Sequence, residues 1–102
     1  MFGLEDRHIN FIKDTLLTFF PTSGTKCYIF GSRAKGREKK YSDVDIAIDD
    51  GGTPIDIMVL SKLISTFEDS SFPYKVDILD LNDTSEKFKN LINEDLVEFH
   101  LK

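Results

Sequence analysis

The chain has 102 residues, enough for one modest core and too few for two, so we expect a single domain over residues 1–102. A net charge of -5 argues against a general nucleic-acid coat, and 40% hydrophobic content with nine phenylalanines against a disordered chain. No apolar run approaches the roughly 20 residues that span a bilayer. MFGLEDRHIN lacks the apolar centre of a signal peptide and Cys27 stands alone, so we expect a cytoplasmic protein without an intramolecular disulfide.

Ile9, Ile12, Leu16 and Phe19 recur at helical spacing and predict an amphipathic helix over roughly residues 5 to 20, ended by Pro21. Lys26-Cys27-Tyr28-Ile29-Phe30 is a short β-prone run that stops at Gly31. Val44, Ile46 and Ile48 then alternate with Asp43, Asp45, Ala47 and Asp49, the period of a strand with one apolar face. Only eleven residues, Ser32 to Ser42, separate these strands. One helical turn fits there and a parallel crossover does not, so the pair should be antiparallel. Beyond the turn signal Asp50-Gly51-Gly52-Thr53-Pro54, residues Ile55, Val59, Leu63 and Phe67 mark a second long helix.

That helix is long enough for a parallel crossover into Lys75 to Leu81, a run apolar on both faces that reads as a central strand. Asp83 with Glu86 resembles a capping box, opening a last helix that Phe88, Leu91, Ile92, Leu96 and Phe99 carry to the end of the chain. The order is αβ(α)βαβα: an α/β fold whose small mixed sheet of about three strands is flanked by helices. Gly31, Asp43 and Asp77 then meet at one edge of that sheet.

Asp43 and Asp45 leave one face of a strand roughly 6 to 7 Å apart. Two partly buried carboxylates that close repel each other unless a cation lies between them, and carboxylate oxygens are what Mg²⁺ prefers. An isolated Asp-x-Asp is more often a solvated strand end. Asp77 strengthens the pattern, because an acid inside Val76, Ile78, Leu79 and Leu81 needs a partner. Asp80 competes with it but faces the other side of the sheet and lies farther from the shared edge. Gly31-Ser32, at the end of a strand, suits an anion held by backbone N–H groups. Five of the eight residues from Arg33 to Lys40 are basic, a counter-charge for polyphosphate. Acids and bases side by side suit a metal-bound triphosphate, gripped through cations by one and directly by the other. His8 and His100 have no spacing that suggests a base and read as surface residues.

Taken as one unit, Gly31-Ser32, ten residues, then Asp43-Val44-Asp45 resembles the GS-x10-DxD signature of the DNA polymerase β-like nucleotidyltransferase superfamily. GSRAKG, SDVDIAID and KVDILDL resemble its minimal nucleotidyltransferases, single-domain proteins of about this length, and the likeness covers nearly the whole chain. The resemblance implies two Mg²⁺ ions on Asp43, Asp45 and Asp77, the last serving the ion that activates the acceptor hydroxyl. Gly31 and Ser32 would hold the β- and γ-phosphates of ATP or another NTP. Arg33 and one or more of Lys35, Arg37 and Lys40 would neutralise the triphosphate. The reaction would place a nucleoside monophosphate, AMP in the first instance, on a hydroxyl and release pyrophosphate. It further implies a separate helical subunit that supplies the acceptor, either a HEPN-type toxin for which this chain is the antitoxin or a small-molecule-binding subunit. The competing reading is a non-catalytic module that neutralises its partner by contact.

Overall fold

The computed structural model describes residues 1–21 and 24–101. Helix α1 (Asp6–Phe19) buries Ile9, Ile12 and Leu16 and ends where the Phe20 N–H bonds the Leu16 carbonyl, one residue before Pro21. Strand β1 (Thr25–Phe30) runs into a four-residue helix, α2 (Gly31–Ala34). Strand β2 (Val44–Asp50) leads to helix α3 (Ile57–Asp69), whose N-cap Asp56 accepts from the Met58 and Val59 amides. Strand β3 (Val76–Asp80), helix α4 (Glu86–Ile92) and strand β4 (Val97–Glu98) follow.

The sheet order is β3-β2-β1-β4. As the connection lengths require, β1 and β2 are antiparallel and β2 and β3 parallel. Val44, Ile46 and Ile48, with Cys27 and Ile29 of β1, enter one main core under α1 and α3. The opposite face holds a smaller cluster of Ala47, Leu81 and Ile92, flanked by Tyr28, Phe30, Leu79 and Leu96. The main core carries most of the stability: Ile12, Leu16, Ile29, Ile46, Ile48 and Leu63 are wholly buried, each worth about 1.5–3 kcal/mol on removal from water.

Three expectations from the sequence need correction. β3 is an edge strand, not a central one. Its two-sided apolar pattern arises because Ile78 packs into the main core and Leu79 into the smaller one, so helices cover both faces while one edge stays open. The last helix stops at Ile92, and a fourth strand, β4, pairs with β1 through Tyr28↔Glu98 and Ile29↔Val97. Phe99 is buried in the main core by that strand, its amide bonding the Cys27 carbonyl at 2.7 Å. The α4 cap is Ser85, which accepts from the Phe88 amide at 3.2 Å, because Asp83 belongs to a preceding turn of 3-10 helix (Leu81–Asp83).

Candidate active site

Register brings the acids together. Asp45 of β2 lies directly opposite Asp77 of β3 in the parallel pair, and Phe30, the last residue of β1, is opposite Asp45 on the other side. Alternation puts Asp43, Asp45 and Asp77 on the face that carries the smaller cluster. One same-face step farther along, the partners become Ala47 and Leu79, which that cluster covers. The apolar cover therefore stops where the acids begin, leaving an open acidic ledge at the shared edge of three strands.

Gly31 adjoins this ledge so closely that only glycine fits. Its φ is +72°, and a Cβ there would collide with Asp45 Oδ2 and come within 3.2 Å of Asp45 Cγ. Ser32 sits in the first turn of α2, and its carbonyl accepts the Arg37 N–H at 2.8 Å.

Burial, and then the charges of Asp77 and Asp43, push the Asp45 carboxyl above its ordinary range, with Lys75 opposing the rise. No hydrogen-bond donor meets Asp45 among the contacts of the described residues, so what surrounds it is mainly other acids. Among the described residues no three His, Cys, Asp or Glu side chains form a preformed metal cluster. The charges of Asp77 and Asp43 both act against ionisation of Asp45, so the three carboxylates repel one another. An all-oxygen donor set under mutual repulsion fits a hard divalent ion. Lys75, which the sequence reading passed over, lies 3.7 Å from Asp77 Oδ1. Two positions before Asp77 on an extended run, it shares that face, and the period of two was the available signal.

The basic residues separate into distinct roles. Arg33 is a correction: it is 2% exposed, and its guanidinium donates to the Ser42 and Phe2 carbonyls rather than facing the ledge. Lys35 pairs with Asp95 at 3.1 Å. Arg37, Lys39 and Lys40 are exposed, Lys40 lying over the Tyr41 ring at 5.4 Å. Asp80 is buried and accepts from the Ile55 and Asn82 amides at 2.7 and 3.0 Å, a structural acid away from the ledge. His8 is buried, not superficial, held edge-on against Phe72 and Tyr74. His100 is exposed beside Glu98.

The family model for "Polymerase beta, Nucleotidyltransferase" matches residues 21–97, from the end of α1 to β4. The chain belongs to this family. A curated relative from Haemophilus influenzae, "Probable protein adenylyltransferase MntA", is 43% identical over 67 residues, which are 66% of this chain. The chain spans 58% of that relative's length. Two solved structures share the polymerase β-like fold. One, described as "tri-AMPylated Shewanella oneidensis HEPN toxin in complex with MNT antitoxin", matches with a TM-score of 0.69 and 19% identity over 95% of this chain and 72% of that one. The other, a "toxin-antitoxin with AMP-PNP", matches with a TM-score of 0.67 and 20% identity over 86% and 72%. Within the polymerase β nucleotidyltransferase fold, the acidic ledge and the Gly31 turn are the parts of this chain that carry its GS-x10-DxD pattern. No described helix is long and apolar enough to cross a membrane.

Proposed function

We propose that residues 1–102 act as one catalytic unit that transfers AMP from ATP to a hydroxyl of a partner protein and releases pyrophosphate. The observation that carries this reading is the Asp45–Asp77 register with Asp43 beside it and Gly31 pressed against Asp45. Asp43, Asp45 and Asp77 would hold two Mg²⁺ ions, which when bound stabilise the entering and leaving oxygens of an in-line displacement. The Gly31 turn lets the backbone approach the β- and γ-phosphates without a side chain in the way, and Ser32 adds a hydroxyl there. Lys40, with Arg37 and Lys39, meets the remaining phosphate charge from the exposed loop; Arg33 is spent on carbonyls and is not assigned to phosphate. The acceptor oxygen bonds to the α-phosphorus, the bond from that phosphorus to the β-bridging oxygen breaks, and the acceptor proton leaves to solvent.

The acceptor is, in this reading, a hydroxyl on a HEPN-type toxin, with this chain as its antitoxin. Support comes from a relative named as a protein adenylyltransferase and from structural neighbours described as an AMPylated HEPN toxin with an MNT antitoxin and as a toxin-antitoxin with AMP-PNP. The working location would be the cytoplasm, where ATP and Mg²⁺ are plentiful.

The test uses ATP labelled at the α-phosphate, Mg²⁺ and the partner that co-purifies with the chain from its own cell extract. Label should move to the partner, and should fail to do so with a chelator or with Asp77→Asn. Neutralisation of the partner without any label transfer would overturn the catalytic reading in favour of contact alone.

A further inference from the structure

The ten residues between Gly31-Ser32 and Asp43 begin with Arg33 and end with Ser42. These two residues hold each other. Arg33 Nε and Nη2 both donate to the Ser42 carbonyl, at 3.2 and 2.8 Å, while Nη1 donates to the Phe2 carbonyl at 2.9 Å. The guanidinium carbon lies 4.6 Å from the centroid of the Tyr74 ring, on the segment that leads into β3. One buried side chain, on the residue that follows the Gly31-Ser32 turn, thus touches the residue before Asp43, the approach to Asp77 and the N-terminal segment.

The cost of this arrangement indicates what it secures. A cation that is 2% exposed is expensive unless paired, and among the described residues Arg33 forms no ion pair with any carboxylate. Phe2, whose carbonyl meets Nη1, has a φ of +56°, in the region that bulky residues avoid. Gly3 is tight as well: a Cβ there would lie 3.1 Å from Arg33 Nη1. Between the two pinned ends, Lys35, Gly36, Arg37, Lys39 and Lys40 remain exposed. The loop is anchored at its ends and open along its middle.

We propose that Arg33 is a positioning residue that closes the GS-x10-DxD loop on itself, setting the distance from the Gly31-Ser32 turn to Asp43. This rests on the nucleotidyl-transfer reading for its consequence, though not for its geometry. A guanidinium suits the task because its planar fork can give two donors to one carbonyl and a third to another while its face rests on a ring. Lysine offers a single ammonium and cannot reproduce the fork. With the loop end free, Asp43 loses its fixed place beside Asp45, and any divalent ion shared by the ledge is held less well.

The experiment measures Mn²⁺ binding by loss of its free EPR signal, in the presence of AMP-PNP, for wild type, Arg33→Met and Arg33→Lys. Hydrogen exchange over residues 37–43 is followed on the same proteins without ligand. Arg33→Met should weaken Mn²⁺ binding by about tenfold or more, the usual effect of losing a residue that orients a metal ligand, and Arg33→Lys by less. Exchange should quicken in the loop, and where transfer is assayed kcat should fall more than the KM for ATP rises. Should Arg33→Met not fold, Arg33→Lys, which keeps the charge and the stem, carries the test on the same readouts. A folded variant with wild-type Mn²⁺ affinity and wild-type loop exchange overturns the proposal. Variants that show the Mn²⁺ and exchange effects, beside a wild type that transfers no nucleotide, overturn the catalytic reading and leave Arg33's role standing. Wild type that binds no Mn²⁺ sinks both.

Discussion

Strand β2 carries acids at both ends, and the two ends are built on opposite terms. At the exit, Asp49 Oδ1 accepts from the Gly52 amide and from Asn82 Nδ2, both at 2.8 Å, and Asp50 accepts from the Thr25 hydroxyl at 2.8 Å. Those bonds hold the Asp49 carboxyl below its ordinary range, the Asn82 bond foremost. At the entrance, Asp45 meets Asp77 and Asp43 instead, and burial with their charges pushes its carboxyl up. An acid supplied with donors is satisfied as a structural element; an acid supplied with more acids keeps an unmet repulsion, which the proposed divalent ions would relieve. The difference separates the proposed site from scaffold within seven residues of one strand.

Breaking that comparison should give its largest effect at Asp45. Asp45→Asn is expected to lower transfer by more than about a hundredfold, since even the indirect partners of a bound metal are worth 10–100-fold. Asp49→Asn should leave transfer close to wild type in the same assay of initial rates. Melting temperatures should move the other way: in metal-free neutral buffer Asp45→Asn should melt higher than wild type and Asp49→Asn lower. Added Mg²⁺ should raise the melting point of wild type and not that of Asp45→Asn.

A second acid sharpens the contrast without touching the ledge. Asp80 lies opposite Ile48 near the exit of β2 and accepts the Ile55 amide in the core. Asp80→Ala leaves that amide unpaired, which should cost about 1–3 kcal/mol in urea unfolding. Transfer per folded molecule should not change, because Asp80 faces away from Asp45 and Asp77.

Much of this division could be seen in the sequence. The period of two over Val44 to Asp49 put Asp43 and Asp45 on one face. The short gap before β2 and the helical gap after it set antiparallel and parallel pairing, and so brought Asp77 to the same edge. Other features depend on contacts that spacing does not encode. Arg33 sits inside a phosphate-type motif and read as a phosphate ligand, yet its burial is decided by Tyr74 and by a carbonyl 31 residues away. β4 is two residues long, too short for any periodicity to announce it. Asp83 and Ser85 are both good caps two positions apart, and only the 3-10 turn that takes up Asp83 leaves the role to Ser85.

The smallest expected effect lies at the exit and is read through pH. Asn82→Ala removes the side-chain donor to Asp49 and a 3.2 Å bond to the Thr53 carbonyl. The Gly52 amide still serves Asp49. The pair is partly exposed, so the loss at neutral pH should be about 0.5 kcal/mol, the low end for a hydrogen bond. Asp49's carboxyl is held down in the folded chain, so the stability it contributes is present above the unfolded carboxylate's pKa of about 3.9 and lost as pH falls through the folded value. The penalty of Asn82→Ala should therefore shrink in acid. Asp45 is held up, so its contribution is present below about 3.9 and lost as pH rises through the folded value. The gain of Asp45→Asn should accordingly be largest at neutral pH and vanish in acid. Unfolding curves for the two variants should lie on opposite sides of wild type at about pH 7 and draw closer to it as pH falls, Asn82→Ala keeping the part of its loss that comes from the Thr53 bond. If both variants instead shift in the same direction at neutral pH, the two ends of β2 are not electrostatic opposites.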